Sequence, residues 1–140
     1  MSKRVFLDTN IILDLLGDRE PFYHSIAQIA TLADQKKLQL VASPISFATV
    51  NYFLSKFEGT QVAKDKLRKF KVLCEIAIID DTIIEKGLNS DFVDFEDALQ
   101  YFCAVDSKCD IILTRNAKDF KNAELPVFSA DEYIKITSDK

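Results

Sequence analysis

The chain has 140 residues, of which 48% are hydrophobic and 29% charged, and its 18 basic and 22 acidic residues give a formal net charge of −4. This composition excludes disordered and fibrous proteins and predicts a single compact domain over residues 1–140. The charge balance also differs from that of a strongly basic nucleic-acid-binding domain, although carboxylates that hold divalent cations can still bring a phosphate to an acidic surface.

Cysteine and histidine usage narrows the class further. Three cysteines without a CxxC pair and a single histidine predict neither a disulfide framework nor a zinc site. No apolar stretch approaches the roughly 18 residues of a membrane span, and no basic-then-apolar leader is visible. We therefore expect no membrane association and a cytoplasmic location.

Strand-like and helix-like segments alternate along the chain. Apolar runs with strand character occur at Val5–Leu7, Leu38–Ala42, Val72–Ile79, Ile111–Leu113 and Val127–Phe128. Helices are predicted at Ile11–Leu16, from Pro21 to about Lys36, from Pro44 to about Phe57, at Gln61–Lys71, and after the N-caps Asp80 and Asp94. The alternation predicts an α/β fold with a central, mainly parallel sheet of about five strands covered by helices.

Three of the predicted helices carry an apolar face that we expect to pack inward. The helix from Pro21 has Phe22, Ile26, Ile29, Ala30 and Ala33 at helical spacing. The helix after Pro44 has Phe47, Val50, Leu54 and Phe57 at helical spacing. The helix after Asp94 has Ala98, Tyr101, Phe102 and Val105.

Polar side chains follow two of the predicted strands directly. Asp8, Thr9 and Asn10 come after the first run. The fourth run is followed by Thr114, Arg115, Asn116 and, slightly later, Asp119. Ligands of open α/β sheets bind beyond the carboxyl ends of the strands, so these residues are candidates for a functional site. For Asn116 and Asp119, capping of a short helical turn is the alternative interpretation.

Asp94, Glu96 and Asp97 crowd at the start of one predicted helix. Carboxylates stabilise helix N-termini, which is one of two interpretations of Asp94 and Glu96; a role in the functional site is the other. Asp97 lies beside Ala98 on the inward side, where an acid is costly unless it is paired or bound to a metal. Acids from two strand ends and one helix start suit Mg²⁺ (or Mn²⁺), which prefers oxygen ligands and can activate water for phosphodiester hydrolysis.

Three segments carry a family resemblance: Leu7–Asp14, Asp94–Tyr101 and Thr114–Phe120. With these segments in this order, the chain resembles PIN-domain proteins, the fold of the VapC-type toxin ribonucleases. The resemblance implies a three-layer α/β/α PIN-like fold and a metal-dependent endoribonuclease for single-stranded RNA, the toxin of a toxin–antitoxin pair. It also implies RNA, an antitoxin protein and a second copy of the chain as partners.

The resemblance also implies roles for individual residues. Asp8 matches the first acid of the family, Asp97 the central acid, and Asp119 the last acid, with Asn116 beside it; we expect Asp8, Asp97 and Asp119 to bind the metal. Thr9, Asn10, Thr114, Arg115 and Glu96 are candidates for substrate binding or for support of the ligands.

The second acid of the family has no acidic counterpart here. It is usually a Glu in the helix after the second strand, but Ser46–Tyr52 contains no acid; Asn51 is the best match and Thr49 the second. An amide keeps an oxygen ligand but lacks the charge and the general-base capacity of a carboxylate. The chain resembles a PIN subgroup with an uncharged residue at this position.

Competing interpretations remain for several features. A catalytically weakened PIN-like module that binds RNA or a protein is the alternative function, and Asn51 favours it. A phosphatase of the haloacid dehalogenase type would need an Asp where Asn10 stands. Arg115 either binds phosphate or faces the helices, and His24 is expected at the surface. One basic run could hold RNA or could be the solvated face of an amphipathic helix: Lys64, Lys66, Arg68, Lys69 and Lys71.

Overall fold

The computed structural model describes residues 3–120 and 123–138, and within them five strands form one parallel sheet. The strands are β1 (Lys3–Leu7), β2 (Leu38–Ala42), β3 (Cys74–Ile76), β4 (Ile111–Leu113) and β5 (Val127–Phe128). Their order in the sheet is β3-β2-β1-β4-β5. All of the pairings are parallel because helices carry the chain back between successive strands. The predicted fold class is confirmed.

Helices cover both faces of the sheet. They are α1 (Thr9–Leu16), α2 (Tyr23–Asp34), α3 (Pro44–Glu58), α4 (Thr60–Leu73), α5 (Asp81–Leu88), α6 (Phe95–Asp106) and α7 (Ala130–Ser138), with a short 3₁₀ helix at Ala117–Phe120. Asp80 caps α5 as predicted, because its Oδ1 accepts a hydrogen bond from the backbone N–H of Ile83 at 3.1 Å. Within the described residues, no helix is long and apolar enough to cross a membrane.

Alternate strand residues form two separate cores. One face of the sheet packs on α1, α2, α3, α4 and α7 through Val5, Leu7, Leu40, Ala42, Ile111 and Leu113. The other face packs on α6 and the 3₁₀ helix through Phe6, Val41 and Ile112. The central strands are buried on both faces, which explains their continuous apolar runs in the sequence.

The predicted third strand is too long. Its first residues, Val72 and Leu73, form the last turn of α4, and the ladder itself covers only Cys74–Ile76. The ladder ends because β2 ends at Ala42; the last contact is the N–H of Ala77, which donates to the Ala42 carbonyl at 2.8 Å.

The second helix is shorter than predicted at both ends. It begins at Tyr23 rather than at Pro21 and ends at Asp34 rather than at about Lys36. Lys36 leaves the helix because its φ of +61° lies in the left-handed region.

Three residues assigned to inward faces are instead exposed. Phe22 is 41% exposed because it precedes α2 and lies outside its buried face. Phe57 is 77% exposed because it lies on the last turn of α3, beyond the buried residues Val50 and Leu54. Val105 is also exposed, since the smaller Cys103 and Ala104 pack against the sheet and place it at the edge of the contact.

The junction between α3 and α4 depends on Gly59, whose φ of +91° and ψ of 156° suit glycine alone. We expect Gly59→Ala to lower the free energy of unfolding by about 1–3 kcal/mol. The cause is backbone strain alone, because an added Cβ would meet no other atom within 4 Å. Urea unfolding measures the change. Phe57→Ala, at an exposed neighbouring residue, is the control, and its free energy of unfolding should stay within about 0.5 kcal/mol of the wild-type value. Equal losses of stability in the two variants would contradict the prediction that Gly59 relieves backbone strain.

Candidate functional site

The candidate site lies at the carboxyl edge of the sheet, where β1, β4 and the start of α6 meet. Asp8 ends β1 and caps α1, and its backbone N–H donates to the Leu113 carbonyl at 3.0 Å. This bond continues the β1–β4 ladder by one residue and places Asp8 beside Thr114. Neighbouring strands of a parallel sheet therefore bring the two predicted polar segments together.

The Asp8 carboxylate is 7% exposed and is held through both oxygens. Oδ1 accepts hydrogen bonds from the Thr9 backbone N–H at 2.9 Å and from Gln100 Nε2 at 3.4 Å. Oδ2 accepts from Thr114 Oγ1 at 2.8 Å and from Asn10 Nδ2 at 3.4 Å. Burial raises the pKa of Asp8, while the hydrogen bonds, that of Thr114 first, oppose the rise. The carboxylate is thus fixed in orientation before any ligand arrives.

Gln100 is a functional-site residue that the sequence prediction missed. Gln100 is 1% exposed, and besides Asp8 its Nε2 lies 2.8 Å from Ser46 Oγ and 3.3 Å from Thr9 Oγ1, so its N–H groups are shared among these acceptors. Its Oε1 accepts a hydrogen bond from Ser43 Oγ at 2.5 Å. An amide one turn after Asp97, between two apolar residues of an inward helix face, was the available signal.

Asp97 lies half-buried on the first turn of α6. Its backbone N–H donates to Asp94 Oδ1 at 3.0 Å, so Asp94 is the N-cap as predicted. Burial, followed by the charges of Asp94, Asp8, Asp119 and Glu96, raises the pKa of Asp97 from the usual 3.8 to about 7. The raised pKa reflects carboxylates from β1, α6 and the 3₁₀ helix that lie close enough to repel each other.

Asp119 and Asn116 lie on the exposed side of the same edge. Asp119 belongs to the 3₁₀ helix and lines a cavity together with Asp94, Asp97 and Lys118. Asn116 precedes that helix; its backbone N–H donates to Thr114 Oγ1 at 3.0 Å and its carbonyl accepts from the Asp119 N–H at 2.9 Å. The last predicted acid therefore faces Asp97, with Asn116 supporting the turn.

Arg115 faces the helices, which is one of the two alternatives that its sequence position allows. Its Nε lies 2.8 Å and its Nη2 3.2 Å from the two carboxylate oxygens of the buried Asp14. The guanidinium Cζ also lies 4.1 Å from the ring centroid of Phe22. Its backbone N–H donates to Asn10 Oδ1 at 3.3 Å. Arg115 thus anchors the loop after β4 to α1.

Asn51, the predicted α3 counterpart of the second family acid, is separate from the hydrogen-bond network around Asp8. Asn51 is half-buried, and its Oδ1 accepts from Ser55 Oγ at 3.4 Å on its own helix. Ser46 is the α3 residue that contacts Thr9, at 2.8 Å between their hydroxyl oxygens. At about 100° per residue, Thr49 lies roughly 60° around α3 from Ser46 and Asn51 roughly 140°. The match to Asn51 stays a prediction, and helix geometry favours Thr49.

Other charged candidates lie on the surface. Along α4, the basic residues surround a narrow buried face, and Lys66 Nζ lies 2.6 Å from Glu58 Oε1. His24 Nε2 lies 3.1 Å from Glu20 Oε1, and both side chains are exposed. Lys66 is only partly exposed, since its Nζ also donates to the Leu16 carbonyl at 2.8 Å, whereas the other basic residues of the run and His24 lie on exposed helix faces.

The edge of the sheet at which Asp8, Asp97 and Asp119 lie is called the acidic edge, and its oxygen donors are of the kind that a hard divalent cation prefers. Asp8, Asp97 and Asp119 supply carboxylate oxygens, and Mg²⁺ commonly uses one or two protein carboxylates together with water and substrate phosphate. Among the described residues, however, no three His, Cys, Asp or Glu side chains form a compact ligand group. The raised pKa of Asp97 reflects negative charge that such a cation would neutralise.

We expect Asp97→Asn to stabilise the metal-free protein at neutral and alkaline pH. The folded pKa of Asp97 lies above its unfolded value, so its contribution to stability is complete below about pH 4 and is lost as the pH rises through about 7. Urea unfolding in EDTA, between about pH 5 and about pH 8, should therefore show an advantage of the variant that grows with pH. Asp81→Asn, on the first turn of α5, is the control; an Asp97→Asn advantage independent of pH would contradict the effect.

Known proteins with similar sequences or folds support one family. The curated protein Ribonuclease VapC1 of Aquifex aeolicus (strain VF5) is 28% identical over 137 residues, which cover 94% of each chain. Solved structures share the fold: a VapBC2 structure from Rickettsia felis, bound to a promoter DNA fragment, has a TM-score of 0.69 at 20% identity, covering 90% of this chain and 97% of that one. A toxin–antitoxin complex from Klebsiella pneumoniae has a TM-score of 0.68 at 23% identity with the same coverage. The PIN domain model matches residues 4–118, and the chain belongs to the PIN-domain family.

Proposed function

We propose that the chain is a Mg²⁺- or Mn²⁺-dependent endoribonuclease that cleaves single-stranded RNA. The observation that carries the proposal is that Asp97 and Asp119 line one cavity at the carboxyl edge of a PIN-family sheet, the edge at which Asp8 follows β1. The curated relative is named as a ribonuclease, which supports the same activity.

In this mechanism three carboxylates would bind the metal, and neighbouring side chains would orient those carboxylates by hydrogen bonds. Asp8, Asp97 and Asp119 would bind the ion, which when bound activates a water and neutralises charge on the phosphoryl oxygens. Thr114 and Thr9 orient the Asp8 carboxylate by the hydrogen bonds described above. Asp97, with its pKa near 7, must give up its proton before it can act as a ligand. Hydrolysis adds the water oxygen to phosphorus and breaks one phosphodiester P–O bond.

The structural relatives are toxin–antitoxin complexes, so we propose that this chain is also a toxin with an antitoxin partner. The antitoxin would cover the acidic edge or place a basic side chain there, because the converging carboxylates are a complementary surface for a cation. RNA and a second copy of the chain remain proposed partners, and a cytoplasmic location accompanies the proposal.

A PIN-like module that binds without hydrolysis is the second candidate function. The absence of a carboxylate from Ser46–Tyr52 favours it, because the site then has one acid fewer than the family pattern. Cleavage assays separate the two candidates.

We expect purified protein to cleave a mixed single-stranded RNA pool in Mn²⁺ or Mg²⁺, and Asp8→Asn to reduce the rate at least about 100-fold because the amide lacks the negative charge with which the carboxylate would hold the metal. Product lengths on a denaturing gel measure cleavage, and EDTA should abolish it. Asp81→Asn is the control and should retain wild-type cleavage. Intact RNA at high protein concentration would contradict hydrolysis and leave the binding module.

A carboxylate restored in α3 should identify the position that faces the site. We expect Thr49→Glu to tighten Mn²⁺ binding about tenfold, because an added carboxylate nearer the Ser46 face raises the charge of the site. Asn51→Glu, directed further from that face, is the matched control and should leave the dissociation constant unchanged. Calorimetric titration measures both; tighter binding by Asn51→Glu alone would place Asn51 at the site instead.

A further inference from the structure

The strongest unexplained feature near the acids is the buried side chain of Gln100. A buried amide costs free energy unless its donors and acceptor are all satisfied. Here they are: in the described part of the chain, no buried side-chain nitrogen or oxygen lacks a hydrogen-bond partner. An apolar residue could fill the same core position without needing any hydrogen-bond partner. The amide of Gln100 is therefore a candidate for a role other than packing.

We propose that Gln100 is a positioning residue that sets the place of Asp8 relative to Asp97, an inference that rests on the proposed metal-dependent function. Gln100 lies on α6 one turn after Asp97, and its Nε2 donates to Asp8 Oδ1 at 3.4 Å. The same side chain therefore joins the carboxylate at the end of β1 to the helix that carries the other central carboxylate.

The contact between Gln100 and Asp8 differs from the hydrogen bonds that Asp8 makes within its own turn. Thr9 and Asn10 belong to the same turn as Asp8 and move with it. Thr114 connects Asp8 to β4, and Gln100 connects it to α6. Because Thr114 binds Oδ2 and Gln100 binds Oδ1, the two contacts restrict rotation of the carboxylate from opposite oxygens.

Gln100 is itself held in place by neutral side chains at the start of α3. Its Nε2 lies 2.8 Å from Ser46 Oγ, and its Oε1 accepts from Ser43 Oγ. Ser46 Oγ in turn lies 2.8 Å from Thr9 Oγ1, which closes the network beside Asp8. The start of α3 thus contributes hydroxyl groups rather than a carboxylate to this region. The Asp8 carboxylate decides the amide orientation, because it can only accept and so requires the amide nitrogen on its side, whereas the Ser43 and Ser46 hydroxyls can donate or accept.

Removal of the amide should weaken metal binding without a matching effect on RNA binding. We expect Gln100→Leu to weaken Mn²⁺ binding by about 10–100-fold, as is usual for residues that orient metal ligands. Its kcat should fall, while its KM for RNA at saturating metal stays close to the wild-type value. Free Mn²⁺, measured by electron paramagnetic resonance, gives the dissociation constant without any cleavage assay.

The matched control is Tyr101→Phe on the same helix. Tyr101 is also buried, and its hydroxyl accepts a hydrogen bond from the Glu124 N–H at 3.1 Å, away from Asp8. This variant should lose stability but keep Mn²⁺ affinity within about twofold of wild type. Should Gln100→Leu fail to fold, Ser46→Ala removes the support of the amide and should cause a smaller loss of affinity in the same direction.

The outcomes separate the two proposals. Wild-type Mn²⁺ affinity in Gln100→Leu, or in Ser46→Ala where the first variant does not fold, overturns the role of Gln100 and leaves the nuclease proposal intact. Weaker Mn²⁺ binding in Gln100→Leu together with uncut RNA in the wild type supports Gln100 and overturns hydrolysis. A wild-type chain that binds no Mn²⁺ overturns both.

Discussion

The parallel pairing of β1 with β4 is the constraint on which the rest of the site depends. These strands are neighbours in the sheet but lie far apart in the sequence, and Asp8 and Thr114 are separated by 106 positions. Their register brings the two strand ends to one edge, where the Thr114 hydroxyl meets the Asp8 carboxylate. Without this adjacency, Asp8 would be a buried acid supported only by its own turn and by Gln100.

Burial and charge act on Asp8 and Asp97 in different ways. Asp8 is almost fully buried, and hydrogen bonds from three separate parts of the chain oppose the rise of its pKa. Asp97 is less buried, but the surrounding carboxylates add to the effect of burial and raise its pKa to about 7. The fold therefore disfavours the ionised form of both acids, but hydrogen bonds offset part of the effect at Asp8, whereas neighbouring charges add to it at Asp97.

The loop after β4 is stabilised by an ion pair that does not involve the candidate metal ligands Asp8, Asp97 and Asp119. Arg115 pairs with the buried Asp14, whose pKa burial raises and the Arg115 hydrogen bonds lower. A buried charge left without its partner is strongly destabilising, so this ion pair ties the loop firmly to α1. Thr114 and Asn116, on either side of Arg115, are thereby held in the positions from which they support Asp8 and the 3₁₀ helix.

Local sequence determined the order of the strands and of α1–α6, the parallel α/β class, the N-caps Asp80 and Asp94, and Asp8 as an acid at a strand end, but α7 was not predicted. These features follow from periodicity, capping preference and strand burial, which act over a few residues. Only the tertiary structure decided that Arg115 turns towards Asp14, that Val105 lies at the edge of its helix contact, and that Gln100 reaches Asp8. Each of these depends on side-chain direction and on contacts between distant segments, since a helix or strand pattern does not specify which element packs beside it.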